Sequence, residues 1–140
     1  MTEAEVRGYL NRAYRAREMV GSMQEELLRL QELAKQIKEF SVSPENSKRL
    51  LGQIVEREQK QQGRIADYLE AAEEVQQVVE ELDNADYRAI LHLRYLNFKT
   101  WDEIADTLHF SNVWIFHLHK RALSAAGSVI QRREQAACMG

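Results

Sequence analysis

The sequence has one proline and six glycines in 140 residues. It also lacks the Val–Thr–Ile-rich alternation that builds strands, so an all-α protein is expected. Its one cysteine, Cys138, lies in the tail without a partner in the chain. That excludes an internal disulfide and a cysteine-based zinc site, and it suits a reducing cytoplasm. No apolar run approaches the ~18–20 residues of a membrane span. The opening MTEAEVRGYL is acidic and amphipathic, so neither a secretory signal nor a membrane partner is expected. No glycine-rich phosphate loop is present, and His92, His109, His117 and His119 have neither HExxH spacing nor cysteine support. No metal, no cofactor and no enzymatic activity are therefore expected.

What is present is helical periodicity. Thr2 and Glu5 can form a capping box that opens one helix running to about residue 40. Along it, apolar residues from Val6 and Tyr9 through Ala16, Met23 and Leu30 to Ile37 recur in alternating steps of three and four, a coiled-coil seam. Phe40-Ser41-Val42-Ser43-Pro44 breaks it. Pro44 suits the first position of a second helix and Ser43 its cap. That helix reaches about Leu82, with a seam through Leu51, Ile54, Glu58, Gln61 and Ile65.

The short connection makes the two helices antiparallel neighbours, a hairpin over residues 1–82. Glu58 and Gln61 either reach solvent at a seam irregularity or form a polar layer that fixes register. Gly21 and Gly63, which fall opposite one another, are either surface glycines or a point of close approach. Leu10, Leu28, Leu33, Phe40, Leu50 and Leu69 add more apolar surface than two helices bury, which points to a homodimer or higher oligomer, or to packing on the C-terminal part.

Asp83-Asn84-Ala85-Asp86 caps a helix to Leu96. Thr100 and Glu103 form another capping box before Trp101, Ile104, Ala105 and Leu108. His109 and Phe110 make a corner, and Ser111 caps a helix with inner face Ile115, Leu118, Ala122 and Leu123. Residues 83–126 thus read as a three-helix helix-turn-helix unit, and 127–140 as a helical extension or a frayed tail.

Leu93-Arg94-Tyr95-Leu96, Thr100-Trp101-Asp102-Glu103-Ile104-Ala105, Leu108, Ser111, Ile115, Leu118-His119 and Ala122-Leu123 resemble region four of bacterial sigma factors. With the long helical front end, the chain is more similar still to the sigma-like late-gene regulators of phages and prophages, of ArpU and RinA type. The resemblance implies a cytoplasmic transcription regulator that binds double-stranded DNA and acts with host RNA polymerase, the hairpin serving as an oligomerisation or partner-binding arm. Base-facing side chains would be Ser111, Asn112, Trp114, Phe116 and His117. Lys99, Thr100, His109, Lys120 and Arg121 flank the motif as phosphate contacts. Arg94, on the preceding helix, is expected to pair with an acid of the motif such as Asp102 or Glu103.

Asn112 and His117 can hydrogen-bond to bases, whereas Trp114 and Phe116 cannot, so these aromatics meet DNA, protein or the core. Two alternatives stand beside the regulator: a DNA-packaging protein of small-terminase type, and an adaptor that binds protein through Trp114 and Phe116. Net charge is −3; residues 1–82 hold 12 basic and 16 acidic side chains, and residues 83–140 hold 7 and 6. DNA affinity, which rests on neutralising phosphates, should therefore be modest and salt-sensitive.

Overall fold

A computed structural model describes residues 1–40 and 43–139. The protein is all-α, with no strand among the described residues. The elements are α1 (Glu3–Leu10), α2 (Arg12–Phe40), α3 (Pro44–Glu80), α4 (Ala85–Leu91), a π-helical turn (His92–Leu96), α5 (Trp101–Leu108) and α6 (Asn112–Met139). The expected break at Ser41-Val42 lies outside the described residues. No helix among the described residues is long and apolar enough to cross a membrane. The chain divides into two compact units, Met1–Tyr14 with Ala71–Gly140, and Arg15–Glu70. The packing boundary therefore does not fall at residue 82, because both ends of the N-terminal helical region join the C-terminal core.

The first helix is not continuous from residue 2 to 40. Thr2 Oγ1 accepts the Glu5 amide at 3.1 Å and opens α1. The α-helix then lapses at Asn11, where ψ is only −9°. Leu10, off the heptad seam, is fully buried beside the seam residues Val6 and Ala13, so the core takes side chains from both on and off the coiled-coil pattern. Arg12, just past the break, bonds Glu74 at 2.8 Å and lies over the Tyr9 ring.

The core of this unit is built on α6, against which α1, α4 and α5 pack. Ile115, Leu118, Ala122, Leu123, Ala126, Val129 and Ile130 form its buried stripe, facing Val6, Leu10, Val75, Val79, Ile90 and Ile104. Burying one large aliphatic side chain contributes about 1.5–3 kcal/mol, so this stripe outweighs any surface pairing. α6 continues past Gly127 to Met139, and burial continues to Ile130. Arg133 ties this extension to Gln77 of α3 at 2.6 Å and to Glu81, just past the end of α3, at 2.8 Å.

In the second unit, Ser43 Oγ accepts the Asn46 amide at 3.4 Å, and α3 starts at Pro44. α2 and α3 run antiparallel: Glu26 accepts from both Arg57 and Gln61, which lie about as far beyond the break as Glu26 lies before it. Ala16, Met23 and Ile54 are buried. Gln61 does not reach solvent; it is 3% exposed and joins Glu26 in a polar layer, with its Oε1 buried and without a hydrogen-bond partner. A Cβ at Gly21 or Gly63 would meet nothing within 4 Å, so neither marks a close approach. Leu28, Leu33, Phe40 and Leu69 stay exposed.

Gly127 is where backbone approach matters, since a Cβ there would lie 3.1 Å from Val6 Cγ2. Gly127→Leu should cost about 1–3 kcal/mol through overpacking, read as a lower urea midpoint. Gly8→Ala, at an exposed helical position with open space around it, should be neutral or raise the midpoint.

Candidate nucleic-acid interface

The sequence dictates a tight corner between α5 and α6. Thr100 is extended, and its Oγ1 accepts the Glu103 amide at 3.2 Å while Glu103 Oε1 accepts the Thr100 amide at 3.4 Å, a complete capping box. At the other end His109 adopts the left-handed conformation, φ 59° and ψ 39°. Its amide and that of Phe110 both donate to the Ala105 carbonyl. Left-handed backbone costs a β-carbon-bearing residue about 1–2 kcal/mol, so the corner holds strain that the packing of α5 on α6 offsets. Ser111 Oγ accepts the Trp114 amide at 3.1 Å, and its carbonyl accepts the Ile115 amide at 3.0 Å, starting α6.

A buried cluster beneath the corner fixes the angle of the second helix. The π-helical turn ends with the Asn97 amide donating to the His92 carbonyl at 3.0 Å. Such a turn fits one more residue than an α-turn. Here Tyr95 is buried and Arg94 lies over Trp101, its guanidinium carbon 4.5 Å from the ring centre. Arg94 also donates to the Lys99 carbonyl at 2.9 Å. The Tyr95 hydroxyl meets His119 Nε2 at 2.8 Å, and Trp101 packs edge-on to His119 with ring centres 4.6 Å apart. The π-turn, α5 and α6 therefore meet on one imidazole.

Burial sets the charge state of this cluster. It raises the Tyr95 pKa above its usual value, with Arg7 and Arg94 opposing. It lowers His119 from 6.5 to about 4, Arg7 and Arg94 adding to the drop and Glu3 opposing it. Both partners are neutral at neutral pH.

Against this inner face stands an exposed outer one. Asn112, Val113, Phe116, His117, Lys120 and Arg121 are exposed, and Trp114 is 39% exposed. Arg121 lies 5.5 Å from the centre of the Trp114 ring, and Lys120 Nζ 5.3 Å from that of Phe116. Phe110 meets Trp114 edge-on at 6.4 Å. Trp114 and Phe116 are thus surface groups with cations across their rings, not core.

The first three turns of α6 bring together Asn112, Trp114, Phe116, His117, Lys120 and Arg121, with Ser111 at their head, its hydroxyl already engaged by the helix start. Lys99 and Thr100 stand at one end of α5 and His109 at the other. Lys99 is 3.8 Å from Glu103, an exposed pair of small energetic weight, and the Thr100 hydroxyl is occupied by the cap. The Tyr95–His119 pair is what sequence reasoning missed. His119, one position after the inner Leu118, was the available signal.

The depressed His119 pKa has a signed consequence. Between pH 6.5 and about 4 the unfolded chain takes up a proton that the folded chain refuses. The stabilisation is therefore complete above pH 6.5 and lost as pH falls toward 4, by roughly 3 kcal/mol. Thermal melts over that range should show a slope that Tyr95→Phe/His119→Phe, which removes both polar partners, flattens. An unchanged slope would remove His119 as its source.

A family model described as "Protein of unknown function (DUF1492)" matches residues 49–126, more than half the chain. The match runs from early α3 through the buried cluster to the last exposed cation of the outer face and just beyond. No curated protein and no solved structure matches. On the extent of the family match, the chain belongs to the DUF1492 family.

Proposed function

We propose that the chain is a double-stranded-DNA-binding transcription regulator, sigma-region-four-like and of phage or prophage origin, acting with host RNA polymerase. The observation that supports this most is the outer face of α6. Its first three turns present hydrogen-bonding, apolar and cationic side chains to solvent, while the opposite stripe is buried. A helix held by a capped partner across a short corner and free on its outer side has the form that enters a major groove. Asn112 and His117 supply donors and acceptors for base edges, and Lys120 and Arg121 supply phosphate contacts. The exposed apolar residues of α2 and α3, Leu28, Leu33, Phe40 and Leu69, support association of the hairpin with a second copy.

A second reading draws on the same face. Val113 and Phe116 are 69% and 58% exposed, so this surface also suits a protein partner, with the chain acting as an adaptor.

Fluorescence anisotropy with duplex taken from upstream of the chain's own gene tests the first reading. Binding should be strong at low salt and fall steeply as salt rises. Lys120→Glu/Arg121→Glu should weaken it at least tenfold and reduce the log–log salt slope by about two, since each phosphate contact contributes roughly 0.9. Both positions are exposed, so circular dichroism should be unchanged. Absence of binding at every salt concentration favours the adaptor.

A further inference from the structure

We infer that the outer face of α6 reads A·T base pairs through thymine methyl groups, with Val113 and Phe116 as the methyl-contacting residues and Asn112 as the adenine reader. This rests on the DNA-binding reading above and adds the chemistry that the face selects.

The first two turns of α6, Asn112 to His117, contain no Arg or Lys. The side chains best suited to paired hydrogen bonds with guanine are therefore missing from the part of the helix that lies deepest in a groove. What it offers is one amide, one imidazole and three exposed apolar groups, of which Trp114 carries Arg121 across its ring and Val113 and Phe116 are the more exposed. Val113 and Phe116 are three residues apart, so they are neighbours on one helix surface. Asn112 precedes Phe116 by four residues, and His117 follows Val113 by four, so the polar groups border the apolar pair on the same surface. The Phe116 and His117 rings are 5.8 Å apart.

The match to one base pair is specific. In the major groove A·T presents the adenine N7 acceptor and N6 donor, the thymine O4 acceptor, and the C5 methyl, the only apolar group that any base edge shows there. Asn112 has the amide that pairs with adenine N6 and N7. Val113 and Phe116 have the apolar surface that a methyl fills. G·C offers that surface nothing to bury.

Charge on the same helix orients the face toward nucleic acid. Lys120 Nζ lies 5.3 Å from the Phe116 ring centre and Arg121 lies 5.5 Å from that of Trp114. The apolar pair is thus followed, within about one turn, by two exposed cations at phosphate-contacting positions. A surface made only for an apolar protein groove has no need of them.

The test is selection from two random duplex libraries, one carrying thymine and one carrying deoxyuridine throughout, followed by anisotropy on the enriched duplex. Deoxyuridine keeps every hydrogen-bonding group of thymine and lacks only the methyl. The thymine library should enrich an A·T-containing motif. The same duplex with uracil should bind roughly fourfold more weakly for each contacted methyl, the value of one buried CH₂-sized group. Val113→Ala/Phe116→Ala should bind the thymine and uracil duplexes equally. Both residues are exposed, so circular dichroism of that variant should be unchanged. Equal binding of thymine and uracil duplexes by the parent protein overturns methyl readout and leaves DNA binding standing. Failure of either library to enrich, with no binding at low salt, overturns both.

Discussion

One stripe of one helix decides the rest. Ile115, Leu118, Ala122, Leu123, Ala126, Val129 and Ile130 lie along a single face of α6 and are nearly excluded from water. Because burial is worth about 1.5–3 kcal/mol for each large side chain, rotating α6 by even one position would expose several of them. The outer residues from Asn112 to Arg121 inherit their direction from that constraint. Alanine at 122 and 126 and glycine at 127 keep the stripe shallow, which lets α1 come so close that a Cβ at Gly127 would press on Val6. The inner face is thus chosen for fit, and the outer face is left free for chemistry.

Several local rules are broken close to that free face. His109 sits in the left-handed region, where glycine is usual, and the last turn before α5 is a π-turn. A histidine and a tyrosine share a hydrogen bond inside the core, where aliphatic residues would pack without any polar requirement. Each feature costs stability alone, and each fixes a position. The left-handed residue sets the corner, the π-turn sets Arg94 over Trp101, and the Tyr95–His119 bond is satisfied at only one depth of α6. Such a bond specifies geometry more than it stabilises, because leaving either partner unpaired would cost about 1–3 kcal/mol.

Much of this was legible from residue spacing. Capping residues marked the starts of α1, α3, α4, α5 and α6, because caps act locally and their hydrogen bonds span only two or three residues. The inner face of α6 followed from the 3.6-residue period. Non-local effects were not legible. The heptad pattern ran through Asn11 without a break, yet the α-helix lapses there, and Leu10, off the seam, is buried against residues distant in sequence. Glu58 and Gln61 looked alike as polar seam residues, yet Gln61 alone found an acid, Glu26, on the facing helix. The π-turn leaves no periodic trace, since one extra residue in one turn is indistinguishable in sequence from an ordinary helix end. For the candidate site, the outward residues could be named from spacing. That the aromatic pair would be exposed with cations over the rings depended on packing that no spacing rule contains.

The charge balance constrains how the proposed regulator would work. With a net charge of −3, and Lys120 and Arg121 beside the outer residues of α6, one copy of such a regulator would neutralise few phosphates, and its affinity would rest on base contacts that each contribute little. Two copies joined through the exposed apolar surface of α2 and α3 would change this without any new contact to DNA. The second α6 would then bind at an effective concentration set by the linkage, raising affinity by orders of magnitude if the spacing of half-sites matches. An acidic arm suits that arrangement, since it adds no non-specific attraction for phosphates. Discrimination would lie in the paired contacts of two helices, each too weak to hold a wrong site alone.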